Sequence, residues 1–325
     1  MDEDRKNIWM FGATGFIGRA LFDHLAMNPQ NRLFLLLHRK MPFKKFENHN
    51  TFTGNLSDFD SRLFERYPPD AIFHLARFPG GNMLARTLAS QRAFKANQRL
   101  VEILKNLKKP PAVVYVSGSL MYGPQKNTGT ATERTPLNPA AYAKYYIKGE
   151  LPWLRAQEQK ILDVRFARPG WIVGPSSWFA EFFGKYYLKT DRVPYYGDGS
   201  QLMSLVSLRD CARLIARLAE KGTVRQNLNI FTMPPLPQKE FSELLAGKLN
   251  AAATEISMQN LHRRYGKTVA SALTSSIPLS TLYPDFYRDY QPIAPDLEAV
   301  FEEVLSFPEN EQGVFAELPK KSFVQ

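Results

Sequence analysis

The apolar run Ile8-Trp9-Met10-Phe11 leads directly into Gly12-Ala13-Thr14-Gly15-Phe16-Ile17-Gly18, and Ala20-Leu21-Phe22 follows one residue later. Strand, three-glycine turn and helix in that order constrain this chain more than any other feature. Glycines let the turn be tight and let backbone N–H groups approach a pyrophosphate, which then rests on the positive end of the helix. Gly12, Thr14, Gly15, Phe16, Ile17 and Gly18 are therefore candidate dinucleotide-binding residues.

The rest of the first half extends the pattern. Apolar, strand-sized runs occur at Ile8–Phe11, Leu33–Leu37, Thr51–Thr53, Ala71–Leu75, Val113–Ser117 and Leu162–Phe166. Helical stretches separate them near Arg19–Met27, Phe59–Arg66, Met83–Leu107 and Tyr142–Ala156. Short β-rich runs without strict alternation, joined through helices, predict a parallel sheet covered on both faces. The expected fold class is α/β: a doubly wound, Rossmann-like parallel sheet with its ligand crevice at the carboxyl ends of the strands. After Gly174-Pro175 the pattern changes. Trp178, Phe179, Phe182, Phe183, Tyr186 and Tyr187 recur at helical spacing, which reads first as packing of a lobe. A strand at Leu205–Leu208, a helix at Cys211–Ala219 and a last strand at Asn227–Phe231 are expected, with proline-broken helices beyond. The dinucleotide-binding domain is thus read as 1–174 plus 205–231. A smaller, mainly helical substrate lobe takes 175–204 plus 232–325.

Composition narrows the function classes. A hydrophobic content of 44% is that of a globular chain, and no apolar run reaches the length of a membrane span. The acidic start Met1-Asp2-Glu3-Asp4 argues against a presequence, and the single cysteine, Cys211, sits at a core position of a helical pattern. A cytoplasmic location is the expectation. The formal net charge of +11 attracts anions, with small clusters at His38-Arg39-Lys40, Lys44-Lys45, Lys108-Lys109 and Lys320-Lys321. No zinc-finger, RNP or basic-zipper pattern accompanies it, so a small-molecule substrate is expected and nucleic acid is not. The five histidines have no metal-ligand spacing.

Further landmarks follow in order: Gly54-Asn55-Leu56-Ser57-Asp58, His74-Leu75-Ala76, Asn97, Val116-Ser117 to Tyr122-Gly123, Arg168-Pro169-Gly170 to Gly174-Pro175, Gly197-Asp198-Gly199-Ser200-Gln201, and Asp210 before Cys211-Ala212. With the glycine turn, they make residues 7 to about 250 resemble the extended short-chain dehydrogenase/reductase superfamily. That group includes sugar-nucleotide epimerases, dehydratases and 3β-hydroxysteroid dehydrogenases. The resemblance implies that Asn55 and Leu56 border an adenine, that Leu75 and Ala76 pass near the cofactor, and that Pro169 and the residues after it line the nicotinamide. It also implies pairing as a homodimer through Met83–Leu107 and Tyr142–Ala156, the second with Pro152 as a kink point. The end of the second strand, Leu37-His38-Arg39-Lys40, carries no carboxylate for a ribose 2′-hydroxyl. His38 and Arg39 there suit a 2′-phosphate, so NADP is favoured over NAD.

The catalytic half departs from the resemblance. The superfamily sets a tyrosine and a lysine four residues apart, with a serine or threonine before them. Tyr142 matches the tyrosine and Glu150 a glutamate of the same helix, but Tyr146 stands at the lysine position. Counting back four from Tyr122 reaches Gly118, flanked by Ser117 and Ser119. The candidate catalytic residues are therefore Tyr142, Ser119, Ser117 and Tyr146. A tyrosine without its cation is a poor base at neutral pH, yet it can still donate a proton or a hydrogen bond. Met203 replaces the arginine with which sugar-nucleotide enzymes of this group grip a diphosphate. Three readings follow. The first is an NADP(H)-dependent reductase of a carbonyl or conjugated alkene on a small, partly apolar metabolite. The second is a non-catalytic NAD(P)-binding sensor or assembly subunit, and the third a sugar-nucleotide epimerase or dehydratase.

Overall fold

The computed structural model describes residues 5–38, 43–78, 80–125, 129–140 and 142–306. Arg39, Lys40, the acidic start and Lys320-Lys321 lie outside the described residues. Six strands form in the first half: β1 (Lys6–Phe11), β2 (Asn31–Leu37), β3 (Asn50–Thr53), β4 (Ala71–His74), β5 (Ala112–Val116) and β6 (Val164–Pro169). With a strand at Asn227–Ile230 they make one seven-stranded sheet, in the order Asn227–Ile230, β6, β5, β4, β1, β2, β3. The pairs from β6 to β3 are all parallel. The chain leaves β1 in one direction for β2 and β3, then returns past β1 to build β4, β5 and β6. The order therefore reverses between β1 and β4, and a crevice opens at their carboxyl ends.

Burial on both faces explains why these runs do not alternate. Leu33 through Leu37 are all buried along β2. Aromatic side chains then align in register. Trp9 pairs with Phe34 across β1 and β2, and their rings stack at 5.0 Å. Phe52 stacks on Trp9 from β3 at 5.4 Å, while Phe59 and Phe64 meet its edges.

The helices that accompany the sheet include α1 (Phe16–Ala26), α2 (Arg62–Arg66), α3 (Met83–Lys105) and α4 (Ile147–Glu158). Asn82 caps α3 by accepting from the Ala85 N–H at 2.9 Å. α3 and α4 approach closely at Gly149, where a Cβ would lie 2.9 Å from the Ala93 Cβ. One expectation is corrected here. The helix expected over Tyr142–Ala156 does not include its tyrosine: Tyr142 is a turn residue, Ala143–Tyr145 is a single 3₁₀ turn, and α4 starts after Tyr146. The Tyr146 N–H bonds back to the Ala143 carbonyl, the tighter three-residue closure, so the phase of the helix does not run through to Tyr142. α4 itself continues through Pro152.

Contacts divide the chain into two units. The first gathers residues up to Met121, Ala143–Arg168 and Ala212–Leu228; the second gathers Tyr122–Tyr142, Pro169–Cys211 and the residues from Asn229 on. The second unit is not only helical. Arg192–Tyr196 pairs in parallel with Ala252–Ile256, a two-stranded piece that the sequence reading did not anticipate because Pro194 interrupts one of its runs. Two-stranded pairs also join Trp171–Val173 to Leu205–Ser207 and Leu202–Met203 to Leu236–Pro237. The expected aromatic face is largely core: Phe179, Phe182 and Phe183 are buried with Tyr196, Phe241 and Phe301, and Trp178, Tyr186 and Tyr187 pack at its margin. Ala180–Gly184 is a π-helical turn. Among the described residues no helix is long and apolar enough to cross a membrane.

Candidate functional site

Backbone alone explains the glycines of the first turn. Gly12 leaves β1 with φ +93°, and a Cβ there would lie 2.7 Å from the Ala76 nitrogen and 2.8 Å from the Leu75 carbonyl carbon. The turn is pressed onto the loop after β4, whose Leu75 N–H bonds to the Phe11 carbonyl at 2.8 Å. Gly18 closes the other side: its Cβ would meet the Gly12 carbonyl oxygen at 2.2 Å. Gly15 is exposed at the N-cap of α1, where no side chain caps the helix and no acidic residue occupies the first turn. The opening N–H groups of α1 are thereby offered to an external acceptor, with the helix dipole behind them. Thr14, Phe16 and Ile17 are half-buried beside it.

The other expected cofactor residues have mixed placements. His38 is exposed at the end of β2, and Arg39 beyond it is not among the described residues. Asn55 opens a 3₁₀ turn over Leu56–Asp58 through a reciprocal capping box with Asp58, and Leu56 is buried. Leu75 and Ala76 line the reversal of strand order, and Pro169 ends β6.

Ser117 is committed inside the first unit. β5 ends at Val116, and the Ser117 hydroxyl donates to Glu150 Oε2 at 2.6 Å while accepting from Arg168 at 3.1 Å. Arg168 donates to Glu150 Oε1 at 2.6 Å, and their side chains are 2% and 1% exposed. Both carboxylate oxygens are thus occupied in a dry ion pair. Ser119 begins a separate 3₁₀ turn over Ser119–Tyr122 and is nearly buried. Tyr146 meets a cation after all, from an unexpected place: the Arg77 guanidinium lies 5.1 Å over its ring and donates to the Ser117 carbonyl at 2.7 Å. Tyr142, in the second unit, is half-buried with its ring edge-to-face on Trp178 at 5.5 Å.

Arg77 and Tyr146 open a cleft between α3 and α4 at the carboxyl ends of β4 and β5. Asn97 and Gly149, which line it, belong to a second buried polar chain. His74 Nε2 donates to Asn97 Oδ1 at 2.8 Å, and Asn97 Nδ2 donates to the Gly149 carbonyl at 2.7 Å. Because Asn97 Oδ1 can only accept, the proton belongs on His74 Nε2, which leaves the buried Nδ1 without a partner. The rings of Phe11, Tyr115 and Trp153 surround the imidazole. Burial pushes its pKa down to about 4, against the smaller opposing pull of Asn97. The folded-state value is therefore below the unfolded one near 6.5, so the unfolded chain binds the extra proton as pH falls through that window. Stability should be full above about pH 6.5 and decline toward pH 4, by up to about 1.4 kcal/mol per pH unit. Urea unfolding near pH 7 and near pH 5 checks this: His74→Gln should lose about 2 kcal/mol less than the parent between the two. Equal losses would show that His74 is not the group responsible.

Several landmarks are polar hubs that sequence reasoning did not assign. In the second unit Asp210 accepts from the Tyr290 hydroxyl at 2.5 Å and from the Ile293 and Ala294 N–H groups at 2.9 Å. Gln201 donates to the Tyr196 carbonyl and to Gln238 Oε1. Tyr122 donates to Asn229, whose own N–H donates to Glu133. Cys211 is fully buried, and burial pushes its thiol pKa up.

The sequence pattern described as the NAD dependent epimerase/dehydratase family matches residues 8–230. No curated protein matches. Among solved structures, a dTDP-glucose 4,6-dehydratase from Bacillus anthracis in complex with NAD is 17% identical, with 92% of this chain and 96% of that one covered and a TM-score of 0.71. A UDP-N-acetylglucosamine 4-epimerase from Methanobrevibacter ruminantium, in complex with UDP-N-acetylmuramic acid, is 19% identical over 96% and 98% of the two chains, with a TM-score of 0.72. A human epimerase family protein with NADPH is 18% identical over 91% and 98%, with a TM-score of 0.70. Likeness at these identities is likeness of fold.

Proposed function

The chain belongs to the NAD dependent epimerase/dehydratase family, and from that premise we propose that it binds a nicotinamide dinucleotide on the Gly12–Gly18 turn and acts as an NADP(H)-dependent oxidoreductase. Its substrate would be a small, partly apolar metabolite with a carbonyl or conjugated alkene to reduce. The observation that carries the reading is the cradle itself. Backbone closes two of its positions to any side chain, at 2.7 Å for Gly12 and 2.2 Å for Gly18, ahead of a helix start with no cap of its own.

A bound nicotinamide would supply the hydride. The chain's part is to hold it and to manage the proton. The opening N–H groups of α1 would take the pyrophosphate, with Asn55, Leu56, Leu75, Ala76 and Pro169 along the remaining length. His38 and Arg39, with no carboxylate between Leu37 and Lys40, support NADP over NAD. Tyr142 would hold the proton at Oη and pass it to the substrate oxygen; the Trp178 ring against it supports an apolar acceptor. Ser119 would orient that oxygen, because the Ser117 hydroxyl is taken by Glu150. Pairing of two copies through α3 and α4 stays part of the proposal, and Met83, Leu84 and Leu88 are exposed on α3.

Solved structures of similar fold include sugar-nucleotide enzymes. Against that substrate stands Met203, which is buried and takes an N–H from Gln238 at 3.6 Å, at the position where the family resemblance implies a diphosphate-gripping arginine. A non-catalytic dinucleotide-binding role is the second reading, favoured by the commitment of Ser117 and by Tyr146 at the lysine position. Parallel titrations with NADPH and NADH test the first step, and tighter NADPH binding is expected. With a substrate in hand, Tyr142→Phe should lower kcat by about 10²–10⁴-fold without weakening dinucleotide binding. Unchanged turnover would remove Tyr142 from its role, and failure of both dinucleotides to bind would end the enzyme reading.

A further inference from the structure

The cleft between α3 and α4 holds a fixed cation that neither the glycine turn nor the proposed proton donor uses. Arg77 is tied down twice, by its hydrogen bond to the Ser117 carbonyl at 2.7 Å and by the Tyr146 ring 5.1 Å beneath its guanidinium. A second guanidinium repeats the arrangement at the same cleft: Arg86 donates to the Gly80 carbonyl and lies 6.0 Å from the Tyr145 ring. Among the described residues the one carboxylate lining the cleft, Glu150, has both oxygens occupied by Arg168 and Ser117. The hydrogen-bond acceptor of Arg77 is a neutral carbonyl, and among the described residues no carboxylate forms an ion pair with it. An arginine presents five N–H donors in a planar fork, and stacking on a ring fixes that plane in advance.

Position adds to chemistry. Arg77 follows β4 at the carboxyl ends of the strands, where open α/β sheets bind ligands. Its neighbour Ala76 lines the same cleft and is the residue against which Gly12 is pressed. We propose that Arg77, held over Tyr146, is an oxyanion subsite that grips a phosphate or carboxylate group at the mouth of this cleft. The group comes either from the dinucleotide, which rests on the function proposed above, or from a separate small anion.

Arg77 is exposed, so Arg77→Gln should fold, and an unchanged far-UV spectrum and melting temperature in chloride would establish that it does. Parent and variant are titrated with NADPH and, separately, melted in chloride and in inorganic phosphate at equal ionic strength. A loss of NADPH affinity of about tenfold or more in the variant assigns the anion to the dinucleotide. Unchanged NADPH affinity, with a phosphate-dependent rise in Tm seen in the parent and lost in the variant, assigns it to a separate ligand. If the variant matches the parent in both, the subsite does not exist. A parent that binds no dinucleotide overturns the proposed function, while the phosphate comparison still decides this inference.

Discussion

Replacing Arg168 with alanine should cost about 3–5 kcal/mol of folding stability, because it leaves the Glu150 carboxylate buried without its cation. The ion pair is 2.6 Å long between side chains that are 2% and 1% exposed, so water cannot take over the role of the guanidinium. Ser117 would retain one hydrogen bond to the carboxylate, too little to offset the lost charge. Replacing both partners together, Arg168→Met with Glu150→Leu, should recover most of the loss, since an apolar pair of similar size needs no compensation. Urea unfolding of the two single variants and the double variant measures this directly. A loss below about 1 kcal/mol for Arg168→Ala, the magnitude typical of a surface pair, would mean that the site is wet.

Gly18→Ala should destabilise the protein by about 1–3 kcal/mol and abolish dinucleotide binding, against what helix propensity alone expects. Alanine is favoured over glycine inside a helix by about 1 kcal/mol. At position 18 the added Cβ would lie 2.2 Å from the Gly12 carbonyl oxygen and 2.8 Å from the Ala13 Cα, which are backbone atoms that cannot swing aside. The turn proposed to receive the pyrophosphate would have to shift. Gly247 supplies the control: it lies in the Gln238–Lys248 helix with nothing within 4 Å of its would-be Cβ. Gly247→Ala should raise stability by about 0.5–1 kcal/mol and leave binding alone. Equal tolerance of the two substitutions in thermal melts and NADPH titrations would sink the close-packed account of the turn.

Much of the architecture was legible because strands buried on both faces and glycine-led turns are local signals. The runs beginning at Ile8, Leu33, Thr51, Ala71 and Val113 each became a strand within a few residues of the expected ends. Tyr142 shows where local reasoning fails. The spacing around Tyr142 reads as helical, yet the chain tightens to a 3₁₀ turn at Ala143–Tyr145 and the helix starts only after Tyr146. Periodicity cannot register one turn wound more tightly than the rest. The parallel pair of Arg192–Tyr196 with Ala252–Ile256 was missed for a different reason: Pro194 argues locally against a strand, and pairing on one side only makes it tolerable.

What the sequence determined by itself is the cradle and the sheet that carries it. Three glycines after an apolar run suffice, because a missing Cβ is a property of the residue wherever the chain goes. The departures were equally plain there: Tyr146 at the lysine position and Met203 at the arginine position are matters of identity alone. Only the tertiary structure decided what the polar residues do. The Ser117 hydroxyl is held by Glu150, far along the chain, and Glu150 is paired with Arg168 from another strand. Arg77 meets Tyr146 because the loop after β4 and the start of α4 meet at one cleft. Charge pairing acts through space and its strength depends on burial, so neither the partner nor the magnitude is written in sequence spacing.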